Sequence, residues 1–141
     1  MISQEKINQL KEYFAAQPVD AAYLFGSQVN NKVTKLSDVD LAVLFKKGIS
    51  DSKCFDLRLQ IIGDVCRILK TERVDVVDLK KAPLKFRYQA FFPKFTIVVK
   101  NKPRMVELEQ TTVKRFLDIQ PYLHLIAQRQ LRLTAEKGFS K

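Results

Sequence analysis

The chain has no tryptophan, one histidine, two cysteines and only four glycines among its 141 residues. A transition-metal centre would call for imidazole or thiolate ligands, and none are grouped here: His124 stands apart, and Cys54 and Cys66 follow neither a metal-ligand nor a redox spacing. Both cysteines read as ordinary helix or core thiols. There is no membrane-length apolar run, leader-type segment, internal repeat or low-complexity stretch, so the expected setting is the reducing cytoplasm. With 46% hydrophobic residues the chain can bury a sizeable core as a single small domain. Acidic residues are outnumbered 15 to 25, giving a net charge of +10 that attracts polyanions without specifying one. The sequence has no zinc finger, RNP-type aromatic motif or repeated basic recognition helix, so direct nucleic-acid binding is not expected.

What the chain does have is Gly26-Ser27 followed, after ten residues, by Asp38-Val39-Asp40. The segment V-D-A-A-Y-L-F reads as a short strand ending at Gly26-Ser27, a turn able to offer backbone N–H groups and a hydroxyl to an anion. A second strand begins near Asp38, where Val39, Leu41, Val43 and Phe45 alternate with Asp38, Asp40, Ala42 and Leu44. Period two sets both carboxylates on one face. A third strand, in T-E-R-V-D-V-V-D-L, places Asp75 with Val77 and Leu79, and Asp78 with Val74 and Val76. If it lies beside the second strand, Asp75 is the better third carboxylate and Asp78 caps a turn or faces solvent.

Three carboxylates converging on one point repel one another unless a cation joins them. Magnesium fits such a set, because it takes hard oxygen ligands from one or two carboxylates together with nucleotide phosphates and water.

The motif G-S-Q-V-N-N-K-V-T-K-L-S-D-V-D, with R-V-D-V-V-D-L downstream, resembles the signature of the polymerase-beta nucleotidyltransferase superfamily. Within it, the pattern is similar to the minimal nucleotidyltransferase (MNT) antitoxins of HEPN/MNT toxin-antitoxin systems. The resemblance covers roughly Tyr23 to Leu79. It implies an α/β fold with a small mixed sheet packed by helices, and an ATP-dependent enzyme that moves AMP to a tyrosine hydroxyl of a cognate HEPN ribonuclease toxin in a mixed assembly. It further implies that Gly26 and Ser27 hold the triphosphate, that Asp38 and Asp40 bridge two magnesium ions, and that Asp75 serves the metal nearer the acceptor. One departure stands out: many relatives carry an R-A-R-G-like segment after Gly-Ser, whereas this chain has Q-V-N-N-K. Lys32 and Lys35 are the cations available to compensate. Two other functions fit the residues: an antitoxin acting by binding alone, and nucleotide transfer to a small-molecule hydroxyl. The chain is too short for polymerase-like accessory domains, and it has no obvious acceptor domain, which leaves a partner protein to complete the pocket.

Around this motif, Ser3 caps an opening helix carrying Ile7, Leu10 and Phe14, ended by Pro18. A crossover helix from about Cys54 to Leu69 is expected to bury Phe55, Leu59, Ile62, Cys66 and Leu69. Pro83 starts a helix reaching Phe91, and F-T-I-V-V is a strand. Lys80, Lys81, Lys85, Arg87, Lys94, Lys100 and Lys102 are either a functional cluster or a solvated surface. Phe91, Phe92 and Phe95 read as core, and His124 as a structural histidine. Residues 1–102 read as the catalytic core. Residues 103–141 read as a helical segment of the same domain, one helix after Pro103 and another started or kinked by Pro121, that packs on the sheet, a second copy or a helical partner.

Overall fold

A computed structural model describes residues 2–25, 39–91 and 94–136. The Ser3 hydroxyl accepts the Lys6 N–H at 3.3 Å and opens α1 (Gln4–Ala15), which buries Ile7, Leu10 and Phe14. Pro18 follows, and β1 (Val19–Phe25) enters the core at once. β2 (Val39–Phe45) pairs antiparallel with β1, with Phe25 opposite Asp40. β3 (Val74–Asp78) pairs parallel with β2, a connection that needs a crossover, and α2 (Asp51–Leu69) supplies it. After α3 (Leu84–Phe91), β4 (Lys94–Val99) adds antiparallel to the other side of β1, giving the order β3-β2-β1-β4.

Strand alternation divides the core in two. Val39, Leu41, Val43 and Phe45 join the buried residues of α1 and α2 on one face of the sheet. Ala21, Tyr23, Ala42, Leu44 and Leu79 meet Ala90 and Phe91 of α3 and Met105 of α4 (Lys102–Glu136) on the other. Asp40 shares the second face with Ala42 and Leu44.

Two expectations are corrected. α2 buries Cys54, Ile61, Val65 and Leu69, whereas Phe55 and Leu59 of the expected stripe are exposed and Ile62 and Cys66 are half-buried. The helix carries two overlapping apolar stripes, and the sheet takes the one through the β-branched Ile61 and Val65. The expected pair of C-terminal helices is one helix, α4, continuous through Pro121 and about 50 Å long at ~1.5 Å per residue. Proline removes the bond to the carbonyl four residues back, here that of Leu117, an exposed residue whose carbonyl water can serve.

Only the first half of α4 belongs to the core. Met105 and Thr112 are buried, Tyr88 of α3 stacks on Phe116, and every residue from 117 to 133 is exposed. Arg104 fastens the helix to the sheet. Its Nη1 lies 2.7 Å from Asp20 Oδ2 and 2.6 Å from the Phe45 carbonyl, in largely buried surroundings. Among the described residues, no helix is long and apolar enough to cross a membrane.

Candidate active site

The Phe25–Asp40 pair marks the end of the sheet where the chain leaves β1 toward Gly26-Ser27 and returns into β2. Asp75 of β3 is the register partner of Asp40 in β2. Equal parity puts the two carboxylates side by side on the face that holds Ala42, Leu44 and Leu79. Asp38, Gly26, Ser27, Lys32 and Lys35 lie outside the described residues. Among the described residues no group of three His, Cys, Asp or Glu side chains is arranged to hold a metal ion. The donor chemistry still suits magnesium: Asp40 and Asp75 offer oxygen only, His124 sits far along α4 bonded to Gln128, and both cysteines belong to α2.

Asp75 is held at the sheet edge. Its Oδ1 accepts the Val76 N–H at 2.9 Å and lies 3.4 Å from Nη2 of Arg58, which reaches over from α2. Arg58 Nε also donates to the Val76 carbonyl at 2.5 Å. Asp78 behaves as a turn cap: its Oδ1 accepts the Lys80 N–H at 3.1 Å, and its carbonyl accepts those of Lys81 and Ala82.

The basic residues near α3 and β4 are mostly committed to structure. Lys81 pairs with Asp51 at 3.2 Å, Lys94 with Glu109 at 2.7 Å, and Lys100 donates to the carbonyls of Ala15 and Gln17. Arg87 donates to the carbonyls of Lys80 and Ala82 and so pins the β3–α3 turn; burial, with Arg115 nearby, lowers its pKa. Lys94 also lies over the Tyr23 and Phe91 rings. Tyr23 is fully buried with no hydrogen-bond partner for its hydroxyl; burial first, and the charge of Glu109 second, raise its pKa. Phe91 is buried in the core on one face of the sheet and Phe95 is partly buried against the core on the other, whereas Phe92 lies outside the described residues.

Sequence reasoning missed Arg58 and the Asp20–Arg104 pair. Arg58 is 17 residues from Asp75, and Arg104 is 84 from Asp20. Neither pair sits at a helical or strand spacing, so only the packing reveals them.

The family described as polymerase beta, nucleotidyltransferase matches residues 8–103. No curated protein matches the chain. A chain from the crystal structure of a toxin-antitoxin with AMP-PNP is similar in fold, with a TM-score of 0.62, 20% identity, and coverage of 96% of this chain and 100% of that one. A chain from the tri-AMPylated Shewanella oneidensis HEPN toxin in complex with MNT antitoxin gives 0.59 and 20%, covering 96% and 98%. One from the toxin-antitoxin MntA-HepT gives 0.59 and 20%, covering 96% and 100%. The family match ends as α4 begins, while the structural matches span too much of the chain to omit that helix. With the strand pairing that sets Asp40 beside Asp75, and a family match over more than half its length, the chain belongs to the polymerase beta nucleotidyltransferase family.

Proposed function

We propose that the protein is an MNT-type antitoxin that transfers AMP from ATP to a tyrosine hydroxyl of a partner HEPN ribonuclease toxin and so neutralises it. The observation that carries this reading is the Asp40–Asp75 register pair at the end of the sheet where Gly26-Ser27 leaves β1. The similarity in fold to chains from the structures of a tri-AMPylated HEPN toxin in complex with MNT antitoxin and of the toxin-antitoxin MntA-HepT supports the choice of partner.

In this reading Asp38, Asp40 and Asp75 would hold magnesium, which when bound offsets triphosphate charge and acidifies the acceptor hydroxyl. Gly26 and Ser27 bind the phosphates through N–H and hydroxyl donors, with Lys32 and Lys35 adding positive charge. Asp75, on the strand at the sheet edge, orients the acceptor. The hydroxyl oxygen bonds to the α-phosphorus, the α–β phosphoanhydride breaks, pyrophosphate departs, and the hydroxyl proton passes to solvent. The exposed apolar residues of distal α4 suit a protein partner. Those residues also favour a second reading, in which toxin binding alone neutralises.

Intact-mass analysis of a purified HEPN-type candidate partner separates the two. With ATP and magnesium, the wild-type protein is expected to add AMP-sized increments to the toxin. The Asp38→Asn/Asp40→Asn variant is expected to add none while still forming the complex. Complex formation without increments from the wild type would leave the binding-only reading.

A further inference from the structure

Among the described residues β3 is an edge strand, and side chains rather than a further strand cover its outer edge. Arg73 accepts the Val39 N–H through its carbonyl and Leu79 donates to Val43, so the odd-numbered residues of this segment face β2. The backbone groups of Val74, Val76 and Asp78 therefore point outward. Exposed edges invite pairing with another chain, and proteins blunt them with short strands, charged side chains, prolines or bulges. Here the Val76 N–H is covered by Asp75 and the Val76 carbonyl by Arg58, two side chains that are 57% and 34% exposed.

A groove runs along this edge, with a cavity of about 390 Å³. α2 forms one wall and the start of α3 the other; Phe55 and Phe86 project from them, 55% and 57% exposed, with Arg58, Asp75 and Lys81 between. Exposed aromatic side chains on both sides of an open strand, next to a carboxylate in register with Asp40, make a site for a flat apolar ring that ends in a hydroxyl.

We propose that this groove is the acceptor site, and that it receives an extended segment of the partner as a further strand on β3, seating the segment's tyrosine ring between Phe55 and Phe86 with its hydroxyl at Asp75. The proposal rests on the adenylyltransferase reading above and adds where and how the acceptor binds. The incoming strand offers a carbonyl to the Val76 N–H and an N–H to the Val76 carbonyl, the mode by which extended peptides extend sheets. It thereby displaces both present covers. Asp75 is released from Val76 and Arg58 to join Asp40, so the third carboxylate comes free only when an acceptor is in place. Arg58 is a positioning residue that holds Asp75 back until then. Serine or threonine would leave the aromatic walls unfilled and its hydroxyl short of Asp75.

Two experiments test this with the full chain and the purified HEPN toxin. In the Asp40→Asn protein, which binds without reacting, hydrogen exchange is expected to slow across residues 74–78 when toxin is added. Protection confined to α4 would overturn the groove. In steady-state transfer, Phe55→Ser/Phe86→Ser is expected to raise the KM for toxin at least tenfold with AMP-PNP affinity unchanged, and Arg58→Met to lower that KM severalfold. An unchanged toxin KM in the aromatic double variant sinks the groove but leaves the adenylyltransferase reading standing. Undiminished transfer by Asp40→Asn sinks that reading, while the exchange result still reports on the groove.

Discussion

The two halves of α4 are one helix in two environments. The proximal half is fastened by Arg104 to Asp20 and Phe45, buries Met105 and Thr112, and lies against α3. The distal half is as rich in leucine and isoleucine, yet Leu117, Ile119, Tyr122, Leu123, Leu125, Ile126, Leu131 and Leu133 are all exposed. Apolar content therefore does not say where the core is; in this chain it marks both the interior and a surface that nothing among the described residues covers. Isolated surface leucines are ordinary, but eight large apolar side chains on one projecting segment mark an interaction surface. The proximal half serves the sheet and its carboxylates, and the distal half is free to serve a partner.

The largest effect expected would separate chemistry from association. Asp40→Asn should reduce toxin modification by on the order of 10³-fold, the scale seen when a preorganised electrostatic group is removed from a reacting centre. Toxin capture, measured by calorimetry, should be unchanged; if capture falls in parallel, Asp40 serves docking as well as chemistry. Next in size, Arg104→Met strands the buried Asp20 carboxylate and should cost about 3 kcal/mol of stability in urea unfolding. A loss under about 0.5 kcal/mol, the usual cost at a neutral surface site, would mean that proximal α4 is not part of the core.

A smaller effect is expected at Tyr23, whose hydroxyl is buried without a partner: Tyr23→Phe should stabilise the protein by about 1 kcal/mol. It also has a pH signature. Burial raises the pKa of Tyr23, and burial together with the Asp64 hydrogen bond raises that of Tyr13, so both phenols stay protonated in the folded protein after they ionise in the unfolded chain. The folded state then binds more protons, and stability that is complete below about pH 10 should fall as pH rises beyond it. Tyr23→Phe should make that fall shallower. The smallest effect belongs to the distal half: a chain ending at Gln120 should unfold within about 0.5 kcal/mol of the full protein, while its affinity for toxin drops. A large loss of stability would place distal α4 in the fold after all.

Much of this was legible in the sequence because it is local. Ser3 and the spacing of Ile7, Leu10 and Phe14 define α1, and period-two alternation defines β2. The parity argument that separates Asp75 from Asp78 needed only that β3 lie beside β2, and the register supplies that pairing. The phase of α2 was not legible, since Phe55 and Leu59 carry as strong an apolar signal as Ile61 and Val65, and only the sheet chooses between them. Nor was the continuity of α4 through Pro121, where proline's usual cost is eased by an exposed carbonyl. Arg58 beside Asp75 was invisible because an arginine on a crossover helix looks like any solvated charge until the strand edge is known. The segment holding Gly26, Ser27, Lys32, Lys35 and Asp38 was the strongest sequence signal, and it falls outside the described residues.

The Asp20–Arg104 pair also bears on how the chain is made. The cation that neutralises Asp20 leaves the ribosome 84 residues after it. At about 5–20 residues per second, β1 waits on the order of 4 to 17 s with a carboxylate that the finished interior accepts only when paired. A nascent chain that stops short of α4 thus cannot close its sheet without burying a lone charge. Completion of the fold is timed to the emergence of α4, so the sheet and the exposed apolar residues of that helix become available together.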